Sequence, residues 1–180
     1  MSAGGPTLAA LSNPAPIPEN ILEQVLEPYS YKGCRYLRDA TVEVANGNVL
    51  AEGSFSIGES AYIRSTGHFN AVELVLAFNQ LAYSAFGPVI GDGMLPFFDG
   101  WTFEDYLKHQ LASMFIRTSS SRFRRPIDAT NFFGRLHCTN LEVVERSVRY
   151  LRVPCAIEFW DEHGGSASGE FELAALNIPG

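Results

Sequence analysis

Residues 70–86, NAVELVLAFNQLAYSAF, decide the fold of this chain, because their apolar side chains cover almost every face of a helix. A helix that is apolar all round is buried on all sides rather than lying on a surface. Its start is well marked, since Asn70 can serve as the N-cap and Glu73 falls at N3, the spacing of a capping box. The pair Gly87-Pro88 predicts its end. The segment therefore predicts a central, enclosed helix.

Strand-like segments flank this helix on both sides in the sequence. Before it, residues 41–44 and 49–55 carry alternating apolar residues around Asn46-Gly47, which is a strong hairpin signal. Helical spacing also predicts a short helix over 19–26, and a second short helix is expected over 102–111 with Thr102 as its cap. Five further segments resemble strands: 114–118, 132–138, 143–151, 155–160 and 167–176. The order of hairpin, buried helix and antiparallel meander predicts an α+β hotdog domain, in which the sheet wraps around one central helix.

Length and composition predict one domain behind a short tail. The chain has 180 residues, and residues 1–18 are rich in Gly, Ala, Pro and Ser, which predicts a flexible N-terminal tail followed by a domain over 19–180. One hotdog domain alone leaves an edge strand and one flank of its helix exposed. We therefore expect a homodimer, with a dimer of dimers left open.

The charge balance excludes some partners. With 13 basic and 20 acidic side chains the net charge is −7, which argues against nucleic acid or an anionic membrane surface as the main partner. No signal peptide or membrane span is evident, so we expect a cytoplasmic protein. The three cysteines, Cys34, Cys138 and Cys155, are far apart and form no CxxC pair. They are expected to be reduced, mostly buried thiols, although a catalytic cysteine stays open.

The loop over residues 62–70, YIRSTGHFN, carries polar groups directly to the start of the central helix. A helix N-terminus presents unpaired N–H groups and a partial positive charge, which can form an oxyanion hole. His68 lies just before this terminus, where the dipole favours a neutral imidazole that can act as a general base. The alternative is a polar surface histidine without a catalytic role.

Other polar residues of this region also have two interpretations. Glu73 can be a general base, but its N3 position favours the cap. Asn79 interrupts an apolar face and is either a structural bridge or a ligand contact. Arg64 is either a solvated charge or the bidentate partner of a carboxylate. The arginines of SSRFRRP, residues 120–126, form a solvated turn or contact the phosphate of a pantetheine arm or an acidic carrier protein.

Several common chemistries are not indicated. The sequence contains no GxSxG elbow, no Walker loop and no GxGxxG fingerprint, so serine-triad, nucleotide and dinucleotide enzymes are not expected. His109, His137 and His163 lie in separate predicted elements without metal-ligand spacing. We therefore expect neither a metal ion nor a cofactor.

Five motifs make the sequence similar to a known family. They are LEPYSYKGCRYL over 26–37, GESAYIRSTGHFNAVELVLAFNQLAYSAF over 58–86, SSRFRRP, VPCAIEFWDEHGG and SGEFELAALNIP. On these residues the chain resembles the FcoT-like, type III acyl thioesterases, a hotdog family. Within that family it is most similar to the dual-function thioesterases of macrolactam and isonitrile-lipopeptide biosynthesis, a secondary metabolism, which add glycine to an α,β-unsaturated acyl thioester and then hydrolyse it.

The resemblance implies a homodimer with active sites at the subunit interface. It implies that His68 is the catalytic residue, that residues 62–70 bind the glycine part of the product, and that the family lacks the acidic base usual in hotdog thioesterases. We infer from its charge that Arg64, together with Ser65 or Thr66, binds the glycine carboxylate. The full set of expected binding residues is Tyr29, Tyr62, Arg64, Ser65, Thr66, Gly67, Asn70 and Asn79.

Three hypotheses follow for function. The first is a dual-function thioesterase that adds glycine to an enoyl thioester on an acyl carrier protein or CoA and releases a 3-(carboxymethylamino) fatty acid. The second is a plain long-chain acyl thioesterase, since such enzymes of the family share the loop. The third is a non-catalytic acyl-binding module with the same groove.

Overall fold

In the computed structural model, which describes residues 6–180, an antiparallel sheet wraps around one long helix. The strand order is β1-β2-β3-β5-β7-β8-β4, and β6 pairs with β7. The strands are β1 Ala15–Pro16, β2 Leu37–Ala45, β3 Asn48–Phe55, β4 Met114–Arg125, β5 Phe132–Cys138, β6 Glu142–Glu145, β7 Arg149–Trp160 and β8 Ser166–Leu176. The helices are α1 Glu19–Val25, α2 Glu27–Ser30, α3 Ala71–Gly91 and α4 Phe103–Ser113. The predicted α+β hotdog architecture is confirmed.

The central helix α3 begins as predicted and ends later. Asn70 is the N-cap, and its side-chain oxygen accepts hydrogen bonds from the backbone N–H groups of Val72 and Glu73 at 3.0 and 3.2 Å. The predicted end at Gly87-Pro88 is wrong, because α3 continues to Gly91. Val89 and Ile90 are almost fully buried after the proline, and this apolar burial offsets the one hydrogen bond that a proline removes.

The enclosure of α3 is incomplete within one chain. The helix is long and apolar enough to span a membrane by length and composition, but 67% of that window is buried inside the fold, as in a core helix. On the opposite side Val72 is 49% exposed, and Leu76, Asn79 and Tyr83 are only partly buried. These four residues recur at helical spacing, so they form one stripe, here called the outer stripe of α3. A single chain therefore does not bury α3 on all sides, which confirms the expectation that one hotdog domain leaves a flank of its helix exposed.

The local turn and cap signals are confirmed. Asn46 and Gly47 both have positive φ, 53° and 75°, and connect β2 to β3 as a two-residue turn of the type that matches strand twist. Thr102 caps α4 in a second capping box with Asp105.

Two strand predictions are corrected by pairing between distant segments. The predicted strand over 143–151 divides into β6 and the start of β7, and β7 then continues through Pro154. The carbonyl of Pro154 accepts from the N–H of Thr139, just beyond the end of β5. β4 extends to Arg125, because it pairs with β8 over its full length. The arginines of SSRFRRP therefore lie on a strand rather than in a turn.

The described part of the predicted tail, residues 6–18, lies against the sheet. The backbone N–H groups of Thr7 and Leu8 donate to the Glu158 carboxylate, and the Arg135 guanidinium donates to the carbonyl of Leu8 at 2.6 Å. Further along, β1 pairs with β2. The flexibility of residues 1–18 and the domain boundary at 19 stay predictions, and residues 1–5 lie outside the described part.

The three cysteines are free and buried, as expected. Cys138 and Cys155 face each other across β5 and β7 with their sulfurs 3.2 Å apart. Burial and the neighbouring thiol raise the pKa of Cys155, with the Cys138 hydrogen bond as the largest cause. A protonated, enclosed thiol is a poor nucleophile, so this residue contributes packing.

Candidate active site

The segment between β3 and α3, which contains the polar loop, is held at both ends by the connection between β4 and β5, and also by one buried phenylalanine. The backbone N–H of Ile57 donates to the carbonyl of Ala129, and that of Phe69 donates to the carbonyl of Ile127. Phe69 is 1% exposed, and its ring lies among the three phenylalanines Phe123, Phe132 and Phe159 at centroid distances of 6.1, 4.5 and 5.1 Å. The loop residues on either side of Phe69, His68 and Asn70, are thereby fixed relative to the start of α3.

The side-chain oxygen of Asn70 stabilises the fold, whereas its side-chain NH₂ group has no hydrogen-bond partner within residues 6–180. Its Oδ1 accepts from the first turn of α3 and also from the hydroxyl of Tyr62 at 2.9 Å. Its Nδ2 is buried and has no hydrogen-bond partner within residues 6–180. An unpaired buried donor costs about 1–3 kcal/mol, so a ligand oxygen at this position would be stabilised. The amide is thus a candidate donor to a carbonyl or oxyanion.

The loop backbone turns so that the imidazole of His68 faces solvent. The hydroxyl of Thr66 donates to the carbonyl of His68 at 2.8 Å, and the N–H of Gly67 donates to the hydroxyl oxygen of Ser65 at 3.3 Å. Gly67 has φ of 77°, in the left-handed region that favours glycine. The imidazole makes no hydrogen bond to the described residues, so it is available to accept a proton from a substrate or a water.

His68 and Asn70 open onto one cleft of about 370 Å³. Its walls come from the loop, from the first residue of α3 and from the end of β4: His68, Phe69, Asn70, Ala71, Phe123, Arg124, Arg125 and Pro126. Sequence reasoning named the arginines only as one of several options and missed Phe123. Nothing local in SSRFRRP indicates this placement, because it results from the pairing of β4 with β8.

Glu73 has a structural task, as its position predicted. It is 2% exposed, and its carboxylate accepts from the backbone N–H of Asn70 at 3.1 Å, which completes the capping box. A carboxylate held in this way points back at the helix start and not into the cleft that His68 lines. The interpretation of Glu73 as a cap is confirmed.

Arg64 lies in the exposed part of the loop and forms no ion pair with the described residues. It does not line the cleft of His68. The backbone of Ser65 is held in place, because its N–H donates to the carboxylate of Glu59 at 2.8 Å. Ser65 accepts a hydrogen bond at its hydroxyl oxygen and keeps its own O–H free to donate.

Asn79 lies further along α3, and Tyr29 lies in α2. Asn79 is nine residues after the N-cap, a rise of about 13.5 Å along the helix, and it lines a second hollow beside Tyr83 and Phe115. Burial, and then the neighbouring Tyr83 phenol, raise the pKa of the Tyr29 hydroxyl, so this group stays protonated. The Asn79 amide has no partner in the described chain, which removes the structural-bridge interpretation within one subunit.

A helix wrapped by an antiparallel sheet defines a hotdog protein, and in this chain a histidine and a free amide lie at the start of that helix. The fold agrees with a Shewanella oneidensis structure named as a thioesterase, which covers 88% of this chain and 99% of its own with a TM-score of 0.50 and 8% identity.

The chain belongs to the FcoT-like thioesterase family, whose domain matches residues 24–175. A relative from Mycobacterium marinum is 68% identical over 91% of this chain and 89% of its own. One from Mycobacterium tuberculosis is 62% identical over 94% and 93%, and one from Streptomyces coeruleorubidus is 37% identical over 89% and 98%. All three are named (2E)-enoyl-ACP glycyltransferase.

Proposed function

We propose that this protein adds glycine to an α,β-unsaturated fatty acyl thioester on an acyl carrier protein and then hydrolyses the thioester. The observation that carries the proposal is the free imidazole of His68 beside the unpartnered Nδ2 of Asn70 in one cleft. The names of relatives that are 62% and 68% identical along nine-tenths of the chain support the same reaction. The product is a 3-(carboxymethylamino) fatty acid.

Both steps place negative charge on the same oxygen. In the first, His68 takes a proton from the glycine ammonium, the amine forms a bond to the β-carbon, and the electron pair moves to the thioester oxygen as an enolate, which is then protonated at the α-carbon. In the second, a water activated by His68 attacks the carbonyl carbon and the thiol leaves. Asn70 Nδ2 donates to that oxygen in both steps. The carboxylate of glycine pairs with Arg64, aided by the hydroxyl of Ser65.

One assay tests this reaction against its alternatives. The protein is incubated with an enoyl thioester on a carrier protein, with and without ¹⁵N-glycine, and the released acid is analysed by mass spectrometry. We expect a product that contains the glycine nitrogen. Release of the unsaturated acid alone would show that the protein is a plain thioesterase. An unchanged thioester would show that it is a non-catalytic binding module. Either result contradicts the proposal.

We also propose that the active enzyme is a homodimer that buries the outer stripe of α3. This stripe is partly exposed beside Phe115, which is itself 47% exposed, and within residues 6–180 β4 is an edge strand of the sheet. Unpaired edges and continuous apolar stripes are surfaces that a second copy covers. A second chain packed against this stripe would bring its own loop towards Asn79, which the described contacts of one chain keep apart from His68.

A complementation experiment tests the shared site. His68→Ala and Asn79→Ala are each expected to be inactive alone. After mixing, unfolding and refolding together, random dimers should recover about a quarter of wild-type activity, because half are mixed and each mixed dimer has one intact site. No recovery would show that one chain supplies both residues, and a fully active Asn79→Ala variant would remove Asn79 from the site. Sedimentation of the wild type gives the oligomeric state directly.

A further inference from the structure

Three arginines near the end of β4, Arg122, Arg124 and Arg125, form what we call the arginine cluster. All three are exposed, and within residues 6–180 none forms an ion pair with a carboxylate. By contrast, most of the other arginines form ion pairs with glutamates: Arg35, Arg117, Arg135, Arg149 and Arg152. In a chain of net charge −7, three adjacent uncompensated cations are a local exception.

An acidic side chain in the turn beside Arg125 is already occupied by backbone hydrogen bonds. The guanidinium of Arg125 lies near Gly164 in the β7–β8 turn, which also contains Asp161. However, the carboxylate of Asp161 accepts hydrogen bonds from the backbone N–H groups of Asp128, His163 and Gly165 at 2.7–2.9 Å. Asp161 therefore stabilises the turn and leaves the guanidinium of Arg125 free for an external anion.

The cluster extends from the active-site cleft along the strand. Arg124 and Arg125 line the cleft together with His68, and a bulge between Phe123 and Arg125 changes the direction in which successive side chains point. Phe123 packs towards the buried Phe69, whereas Arg122 is opposite Ser168 on β8. From Arg125 to Arg122 the strand rises about 10 Å, so the positive charge extends along β4 beyond the two arginines that line the cleft.

We propose that the arginine cluster binds the phosphate of the phosphopantetheine arm that delivers the acyl thioester. This inference rests on the proposed function, because only a carrier-linked or CoA-linked substrate brings a phosphate to this cleft. The arm carries its thioester at one end and its phosphate at the other, so a thioester at His68 requires an anion site further out. Guanidinium groups bind phosphate oxygens with two parallel hydrogen bonds, which suits this position.

The test compares substrates that differ in the phosphate alone. The same acyl group is presented as a pantetheine thioester, as a phosphopantetheine thioester and on the carrier protein. The wild type is compared with Arg122→Gln/Arg124→Gln/Arg125→Gln, with Arg124→Gln and Arg125→Gln singly, and with Arg146→Gln. Arg146 is a matched control, because it is exposed between β6 and β7 and has no ion pair among the described residues. Thermal melting verifies the fold of each variant.

The measured quantity is the ratio of kcat/KM for the phosphopantetheine thioester to that for the pantetheine thioester. We expect this ratio to fall about 10-fold or more in the triple variant, less in the single variants, and not in Arg146→Gln. The carrier-bound substrate should lose at least as much. An unchanged ratio would overturn the inference, whether or not total activity falls. A loss confined to the carrier-bound substrate would also overturn it, since the cluster would then contact the carrier's own surface.

Failure of this inference is distinguishable from failure of the proposed function. The ratio is measured without glycine, from thioester hydrolysis alone. If the wild type hydrolyses the thioester but never forms a glycine adduct, the proposed addition fails while the phosphate comparison is still decided. If the adduct forms and the ratio does not change between wild type and variants, the phosphate inference fails while the proposed addition stands.

Discussion

His68→Ala is expected to lower the rate of both glycine addition and thioester hydrolysis by about 10²–10⁴-fold, the usual contribution of a general base. The two steps fail together because the same imidazole accepts the proton in each. The fold should persist, since the side chain is exposed and the buried neighbour Phe69 holds the loop independently. Single-turnover measurements with a carrier-bound enoyl thioester, followed by mass spectrometry, separate the two steps.

The matched control is His163→Ala, which removes another exposed imidazole, in the β7–β8 turn, that does not line the cleft. It should retain wild-type rates in both steps. If His68→Ala lost only hydrolysis and kept addition, the imidazole would not be the shared base, and the glycine amine would have to lose its proton to another group. If His68→Ala kept both steps, the catalytic assignment would be wrong.

Substitutions of Asn70 are expected to separate its structural role from its catalytic one. Ser and Asp are as effective as Asn at the N-cap, so Asn70→Ser and Asn70→Asp should change the free energy of unfolding by only a few tenths of a kcal/mol. Asn70→Ala should lose about 1 kcal/mol, because two N–H groups of the first turn of α3 then lack their acceptor. All three variants lose Nδ2, and each should lower kcat by about 10²–10³-fold.

Thr102→Ala is the matched control for the cap. Thr102 accepts from the N–H of Asp105 in an equivalent capping box on α4, away from the cleft. This variant should lose a similar amount of stability and keep its activity. Chemical denaturation gives the stability and initial rates give the activity. An Asn70→Ser variant with wild-type rates would show that the buried amide donates nothing to the reacting oxygen.

The sequence identifies Asn70 as a helix cap, but it does not show that the side-chain NH₂ group of Asn70 is free. The spacing of Asn70 and Glu73 predicted the capping box, because a cap depends on hydrogen bonds within one helical turn. The same spacing led to the interpretation of Glu73 as a cap and not a base, which the contact with the Asn70 N–H confirms. That Nδ2 is buried and unpaired depends on the hydrogen bond from Tyr62, eight residues away in an irregular loop. No propensity predicts such a contact.

The sequence by itself determined the central helix and its start, the Asn46-Gly47 hairpin, the cap of α4 and the polar loop that carries His68. Each of these depends on periodicity or on contacts between residues a few positions apart, which the chain specifies locally. Only the tertiary structure decided the continuation of α3 past Pro88, the passage of β7 through Pro154 and the arrival of Arg124 and Arg125 beside His68. These features depend on burial and strand pairing between distant segments, whose free energy outweighs the local preference of a proline or a turn.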